Sequence, residues 1–281
     1  MQHTTLIAGC GDVGTTLGLQ LQQQGHKVFG LRRNINQLPQ GIQGISADLT
    51  QLAGLKSKLA ELHSCDFLLF CCAANQHTEA GYRAAYLEGF SNLLQALPIR
   101  PKHIFFTSST AVYHQNDHDW VDEESPCNPT GFNGKIMLEA EQQVQNLDTP
   151  ATVVRFSGIY GPGRNHLLHR VQRGDTAPAE PPLFSNRIHR DDCAGVLLHL
   201  INRVIQGKVV DNCYLASDDQ PSTLHEVTHW LAAEMKTPLR SETLSRRTGS
   251  KRCNNSRLKT SGYQFIYPNY RDGYLKLLSE Q

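Results

Sequence analysis

The chain has 281 residues, and its 27 Lys and Arg balance 26 Asp and Glu to a formal net charge of +1. That neutrality excludes a nucleic-acid binder that works through a surplus of positive charge, and 39% hydrophobic with 19% charged residues lies outside the composition of disordered chains. The length fits one large domain or two smaller ones at roughly 150 residues each, and the longest apolar run, residues 67–74, is far shorter than the ~20 residues of a membrane helix.

Short apolar runs at residues 5–8, 27–31, 67–73, 103–107 and 152–156 predict strands. Leu and Ala recurring at three- and four-residue spacing predict helices between them, at 13–24 and 82–97. Strands that alternate with helices predict an α/β fold with a parallel sheet covered on both faces. After Tyr160 the pattern breaks at Gly161-Pro162-Gly163 and again at the Pro-rich residues 178–182. A strand at 212–216 is expected to rejoin the sheet, followed by a helix over 224–235. The eight cysteines include no Cys-x-x-Cys pair and are read as reduced thiols, with Cys71 and Cys72 acting as small buried hydrophobes. With no basic segment before the first strand, the expectation is a cytoplasmic protein without a secretory leader.

The strongest local signal is Gly9-Cys10-Gly11-Asp12-Val13-Gly14, a Gly-x-Gly-x-x-Gly that follows a strand and opens a helix. The first glycine permits a tight turn, the second lets the backbone approach a pyrophosphate, and the third lets helix and strand pack closely. The helix N-terminus then offers N–H groups to the phosphates. At the end of the second strand, where a carboxylate would bind the ribose 2′-hydroxyl of NAD, stand Arg32 and Arg33. A guanidinium pairs with a 2′-phosphate where a carboxylate repels it, so NADP is expected in preference to NAD.

Two further groupings are set aside as metal sites. His225-Glu226-Val227-Thr228-His229 fits a zinc-binding His-Glu-x-x-His, yet the apolar face of that helix leaves both imidazoles on its flank, and no third ligand is evident after it. The group His114, Asp117, His118 and Asp119 reads as a polar loop.

Taken together, these residues resemble the extended short-chain dehydrogenase/reductase superfamily, the NAD-dependent epimerase/dehydratase group, over nearly the whole chain. Asp48-Leu49 resembles the pair beside the adenine ring, and Cys71-Cys72-Ala73-Ala74 falls where the fourth strand ends under the cofactor. Residues 107–113 look like the Ser-Ser-x-x-Val-Tyr segment, residues 155–164 like the loop after the sixth strand, and Ile188-His189-Arg190-Asp191-Asp192 like the segment leading into the substrate lobe. The resemblance implies a Rossmann domain over residues 1–156 and a smaller C-terminal substrate lobe over 157–281, with a small-molecule substrate in the cleft between them. It leaves a homodimer open and implies neither a nucleic-acid nor a membrane partner.

The family's catalytic signature is incomplete here. Ser109 matches the serine that bonds the substrate oxygen and Lys135 matches the lysine, but the tyrosine four residues before it is Gly131, which has no side chain to transfer a proton. That departure resembles the superfamily's atypical subgroup. Tyr113 and Tyr160 are candidate replacements, and Tyr160, Arg164 and His189 are candidate substrate contacts; Lys135 keeps a role on the nicotinamide ribose. The expected function is an oxidoreductase or epimerase acting on a hydroxyl or keto carbon of a small polar substrate, a nucleotide sugar if the resemblance extends that far. The alternative is a non-catalytic NADP(H)-binding redox sensor.

Overall fold

A computed structural model of the chain describes residues 1–243 and 249–280. Its first elements are β1 (Thr4–Ala8), α1 (Asp12–Gln23), β2 (Lys27–Arg32), β3 (Gln43–Ser46), α2 (Leu52–Leu59), β4 (Phe67–Phe70) and β5 (His103–Ser109). With the strands Ala151–Phe156 and Cys213–Ala216 they form one seven-stranded sheet in the order Cys213–Ala216, Ala151–Phe156, β5, β4, β1, β2, β3. The pairs β1–β2, β1–β4, β2–β3 and β4–β5 are all parallel. The chain runs outward from β1 to β3 and then returns to lay β4 on the other side of β1. The strand order therefore reverses at β1 and β4, and in such sheets ligands bind outside the carboxyl ends of the strands at that reversal.

Burial explains which strands were legible as apolar runs. All five residues of β1 and all four of β4 are buried, as expected of strands covered on both faces. The edge strand β3, Gln-Gly-Ile-Ser, is mostly exposed and carries no apolar run, so periodicity does not reveal it. Two expected boundaries are corrected. The strand read over 67–73 stops at Phe70, because the Cys71 N–H makes a last bond to the Ala8 carbonyl (2.8 Å) before the chain turns away. The helix read over 82–97 begins at Glu79, capped by the Thr78 hydroxyl, and a π-helical segment at Arg83–Glu88 interrupts it. The later helix spans Leu224–Glu234 and starts with a Thr223/Glu226 capping box.

The chain forms two compact units, one of residues 1–112, 127–155 and 194–214, the other of 113–126, 156–193 and 215–281. In the first, Phe70 stacks on Phe106 (5.3 Å between centroids) and Phe90 meets both edge-on. In the second, Tyr160 stacks on Tyr274 (4.5 Å) within a core that includes Leu168, Val171, Val227 and Leu231. The bare Cα of Gly273 makes room for the Tyr160 hydroxyl, which a Cβ at residue 273 would overlap. No helix among the described residues is long and apolar enough to cross a membrane.

The first unit also buries an ion pair. Glu141, on the helix Phe132–Gln145, accepts hydrogen bonds from Arg155 Nη2 (2.7 Å) and Nε (3.1 Å) and from the Ser108 hydroxyl (2.5 Å). Truncating Glu141 strands a buried guanidinium, so Glu141→Ala is expected to lower unfolding stability by roughly 3–5 kcal/mol in urea denaturation. A second expectation concerns His103, which bonds Thr152 Oγ1 (2.9 Å) and whose imidazole burial pushes down to about 4. Imidazole titrates near ~6.5 in an unfolded chain, so the neutral ring's stabilising contribution is complete above that pH and is lost as pH falls toward 4. In His103→Gln, melting temperature measured against pH should lose part of its decline between about 6.5 and 4.

Candidate functional site

The glycine turn sits at the carboxyl end of β1, beside the end of β4. Gly9 has φ +81°, and a Cβ there would lie 2.6 Å from the Cys71 carbonyl oxygen and 2.7 Å from the Cys72 Cα. Only glycine fits both that backbone conformation and that approach. A Cβ at Gly14 would press on the Ile7 side chain at 2.9 Å, so this position holds α1 close to β1. Gly11 differs from both: a Cβ there would meet nothing nearer than the Gly9 carbonyl oxygen at 3.9 Å. Gly11 is the N-cap of α1 and carries no side-chain cap hydrogen bond, so this helix start is not closed by a cap. An uncapped helix start beside a glycine with room for a ligand is an arrangement that can take an anion.

Arg32 leans into this turn. Its Nη1 donates to the Cys10 carbonyl (3.1 Å) and its Nη2 to Gln37 Oε1 (2.5 Å), which fixes the guanidinium against the loop with N–H groups to spare. Arg33 is exposed and diverges from it, donating to Asn75 Oδ1 (2.6 Å) on the segment after β4. Asp48 accepts from the Thr50 N–H (2.9 Å) and hydroxyl (2.8 Å), and that backbone bond leads the causes that hold its carboxyl below the usual range. The carbonyl of Leu49 accepts from the Asn92 side chain at 3.0 Å. Ala73 and Ala74 lie past the end of β4, Ala73 exposed and Ala74 half-buried.

Ser109 closes β5 and is half-buried. Its Oγ accepts the Ala111 N–H (3.2 Å), which leaves the hydroxyl hydrogen to donate elsewhere. The helix Phe132–Gln145 passes close by: at Gly134 a Cβ would overlap the Ala111 carbonyl oxygen. Gly131 is the N-cap of that helix, with ordinary extended φ and ψ. The Asn133 side-chain oxygen folds back to within 2.7 Å of where a residue-131 Cβ would begin. Lys135 is exposed and lines a shallow, open depression with Cys127, Asn128, Pro129, Leu138, Glu139 and Gln142, a set that includes neither Ser109 nor the glycine turn. Sequence reasoning missed the aromatic group around Phe132, the neighbour of Gly131: His77 (5.1 Å) and Tyr82 (5.5 Å) pack on it, and Tyr86 packs on Tyr82. Burial raises the phenols of both tyrosines, Tyr86 to about 12. Their four-residue spacing on one helix was the available signal.

The remaining candidates belong to the second unit. Tyr113 is buried and its hydroxyl donates to the Asp122 carbonyl (2.7 Å). Tyr160 and His189 come together edge-on at 5.2 Å, both buried, with Tyr267 on the other side of the imidazole at 4.1 Å. Burial pushes the Tyr160 phenol far above its ordinary value. Arg164, by contrast, is exposed. Asp192 pins the segment after Tyr263, accepting the Tyr263 hydroxyl (2.7 Å) and the N–H groups of Ile266 and Tyr267. Asp218 was not anticipated: it is buried, and desolvation raises its carboxyl to about 8 against the pull of Arg187. All eight cysteines are free thiols.

A family model described as RmlD substrate binding domain matches residues 3–279. A solved structure from Methylobacillus flagellatus, provisionally assigned as an NAD-dependent epimerase/dehydratase, is 38% identical with a TM-score of 0.85, covering 99% of this chain and 98% of its own. The human epimerase family protein SDR39U1, solved with NADPH, is 21% identical with a TM-score of 0.76, covering 95% of this chain and 96% of its own. The Thermus thermophilus UDP-glucose 4-epimerase, solved with NAD, is 16% identical with a TM-score of 0.78, covering 96% of each chain. The last two show likeness of fold. No curated protein matches the sequence.

The three glycines are expected to respond differently to a methyl group. Gly9→Ala should destabilise the protein by about 1–3 kcal/mol or more, since the clash is with backbone and the φ is positive. Gly11→Ala should leave the melting temperature of the ligand-free protein nearly unchanged while weakening dinucleotide binding in titration calorimetry.

Proposed function

The chain belongs to the RmlD substrate binding domain family, matched over residues 3–279, and we propose that it binds a nicotinamide adenine dinucleotide at the Gly9–Gly14 turn. NADP(H) is the preferred form, and the protein acts as an oxidoreductase or epimerase on a hydroxyl or keto carbon of a small polar substrate. The carrying observation is the open space over Gly11 at the uncapped start of α1, with the Arg32 guanidinium held against the same loop. The α1 N–H groups suit a pyrophosphate. A guanidinium already oriented by Cys10 and Gln37 loses little side-chain freedom in taking a 2′-phosphate, and no carboxylate stands at the end of β2 to repel one. When bound, the nicotinamide supplies a hydride donor or acceptor. Ser109 is the residue proposed to donate its hydroxyl hydrogen to the substrate oxygen.

A second reading, a non-catalytic NADP(H)-binding redox sensor, is favoured by what surrounds the missing phenol. Asn133 folds over position 131, and the Tyr113 hydroxyl is spent on the Asp122 carbonyl. The two readings separate in hydride exchange. Purified protein that binds NADPH but moves no hydride to or from a broad panel of carbonyls and alcohols supports the sensor. Turnover that falls roughly 10²-fold in Ser109→Ala with NADPH affinity intact supports the enzyme. For the cofactor, Arg32→Ala should shrink the NADPH-to-NADH affinity ratio by roughly tenfold to a hundredfold, the range of a lost charge-assisted hydrogen bond. An unchanged ratio overturns the 2′-phosphate assignment.

A further inference from the structure

On the helix Leu224–Glu234, the two imidazoles of the His-Glu-x-x-His sequence lie with ring centroids 3.9 Å apart and planes inclined by 36°. Each ring is oriented from behind by a main-chain carbonyl. His225 Nδ1 bonds the Ala177 carbonyl at 2.9 Å, and His229 Nδ1 bonds the His225 carbonyl at 3.0 Å. Because a carbonyl only accepts, each Nδ1 carries a hydrogen, which leaves Nε2 as the nitrogen of each ring that can ligate a metal. The sequence offered no third ligand near this helix. The fold supplies one from the short strand Ser241–Glu242, which pairs in parallel with Asp175–Thr176, next to the residue whose carbonyl orients His225. Glu242 Oε1 lies 3.3 Å from His229 Nε2, and the three donor groups fall within 4.8 Å of one another. Donors at ~2.0–2.1 Å from a tetrahedral ion stand about 3.3 Å apart, so small side-chain rotations bring all three into reach of one cation.

We propose that His225, His229 and Glu242 form a divalent transition-metal site, with zinc as its ion. Two imidazoles and a carboxylate are borderline ligands suited to zinc and unsuited to magnesium or calcium, which take oxygen donors. The site is not that of a metalloprotease. Glu226, which would have to act there as general base, is turned away into the helix cap, where its Oε2 accepts from the Thr223 N–H (2.8 Å) and hydroxyl (3.0 Å). A bound ion instead ties the helix to the strand pair at one edge of the second unit, and the fourth ligand is water.

The test uses the full chain, stripped of metal with a chelator and dialysed, then titrated with zinc chloride against a chromophoric competitor. The expected result is one zinc per chain, with affinity reduced by roughly a hundredfold in His229→Ala and about tenfold or more in the exposed Glu242→Gln. Zinc should raise the melting temperature of the wild-type protein and not that of His229→Ala, and Glu226→Gln should bind zinc like the wild type. Cobalt should replace zinc and give the intense visible absorbance of a four-coordinate site. Equal zinc affinity in the wild type, His229→Ala and Glu242→Gln overturns the proposal, as does the absence of any zinc-dependent shift in melting temperature.

Discussion

Residue 9 has no side chain, and the turn that ends β1 therefore rests directly on the Cys71–Cys72 peptide at the end of β4. The Leu31 carbonyl of β2 accepts both the Gly9 and Cys10 N–H groups, at 3.0 and 3.2 Å, so the ends of three neighbouring strands converge on this one turn. The start of α1, the open ground above Gly11 and the anchoring point of Arg32 are all set by that convergence. A single added carbon would meet backbone, which cannot rotate aside as a side chain can. The constraint is thus geometric before it is energetic, and the uncapped start of α1 inherits its position from it.

A second, electrostatic constraint governs the serine side of the site. Glu141 draws on Ser108 and Arg155 together, with all three nearly inaccessible to water, so the helix that begins at Phe132 is held in register with the ends of β5 and of Ala151–Phe156. Ser109 follows Ser108 directly at the end of the same strand, its own hydroxyl oxygen taken up by the Ala111 N–H. Buried polar groups satisfied in this way specify one arrangement, because every alternative leaves a charge without a partner.

Much of this could be read from the residues alone. The glycine turn, the strands buried on both faces and the arginines at the end of β2 announce themselves, since their chemistry is local and their spacing is fixed by the backbone. Long-range closure was hidden. Glu242 lies in a two-residue exposed strand with no periodicity, so nothing in the sequence connects it to His229. The edge strand β3 lacks the apolar alternation that would mark it, and Asp218 looks like one more surface acid until the fold buries it. The expectations for Tyr113 and Tyr160 rested on residue type alone. Residue type shows that a phenol is present but not that one hydroxyl is already bonded to a carbonyl or that the other is enclosed in an aromatic core.

The contact between Gly273 and Tyr160 has an evolutionary meaning. A side chain at 273 would need the space that the Tyr160 hydroxyl now fills, so the two positions are not free to vary independently. A lineage drifting away from glycine at 273 would first have to replace the ring at 160 with a smaller residue, since a Cβ at 273 would also lie 2.7 and 2.8 Å from the Tyr160 Cζ and Cε2. The reverse order passes through an overpacked intermediate. Two residues more than a hundred positions apart thus form an epistatic pair with a preferred order of change, imposed by the edge of one aromatic ring.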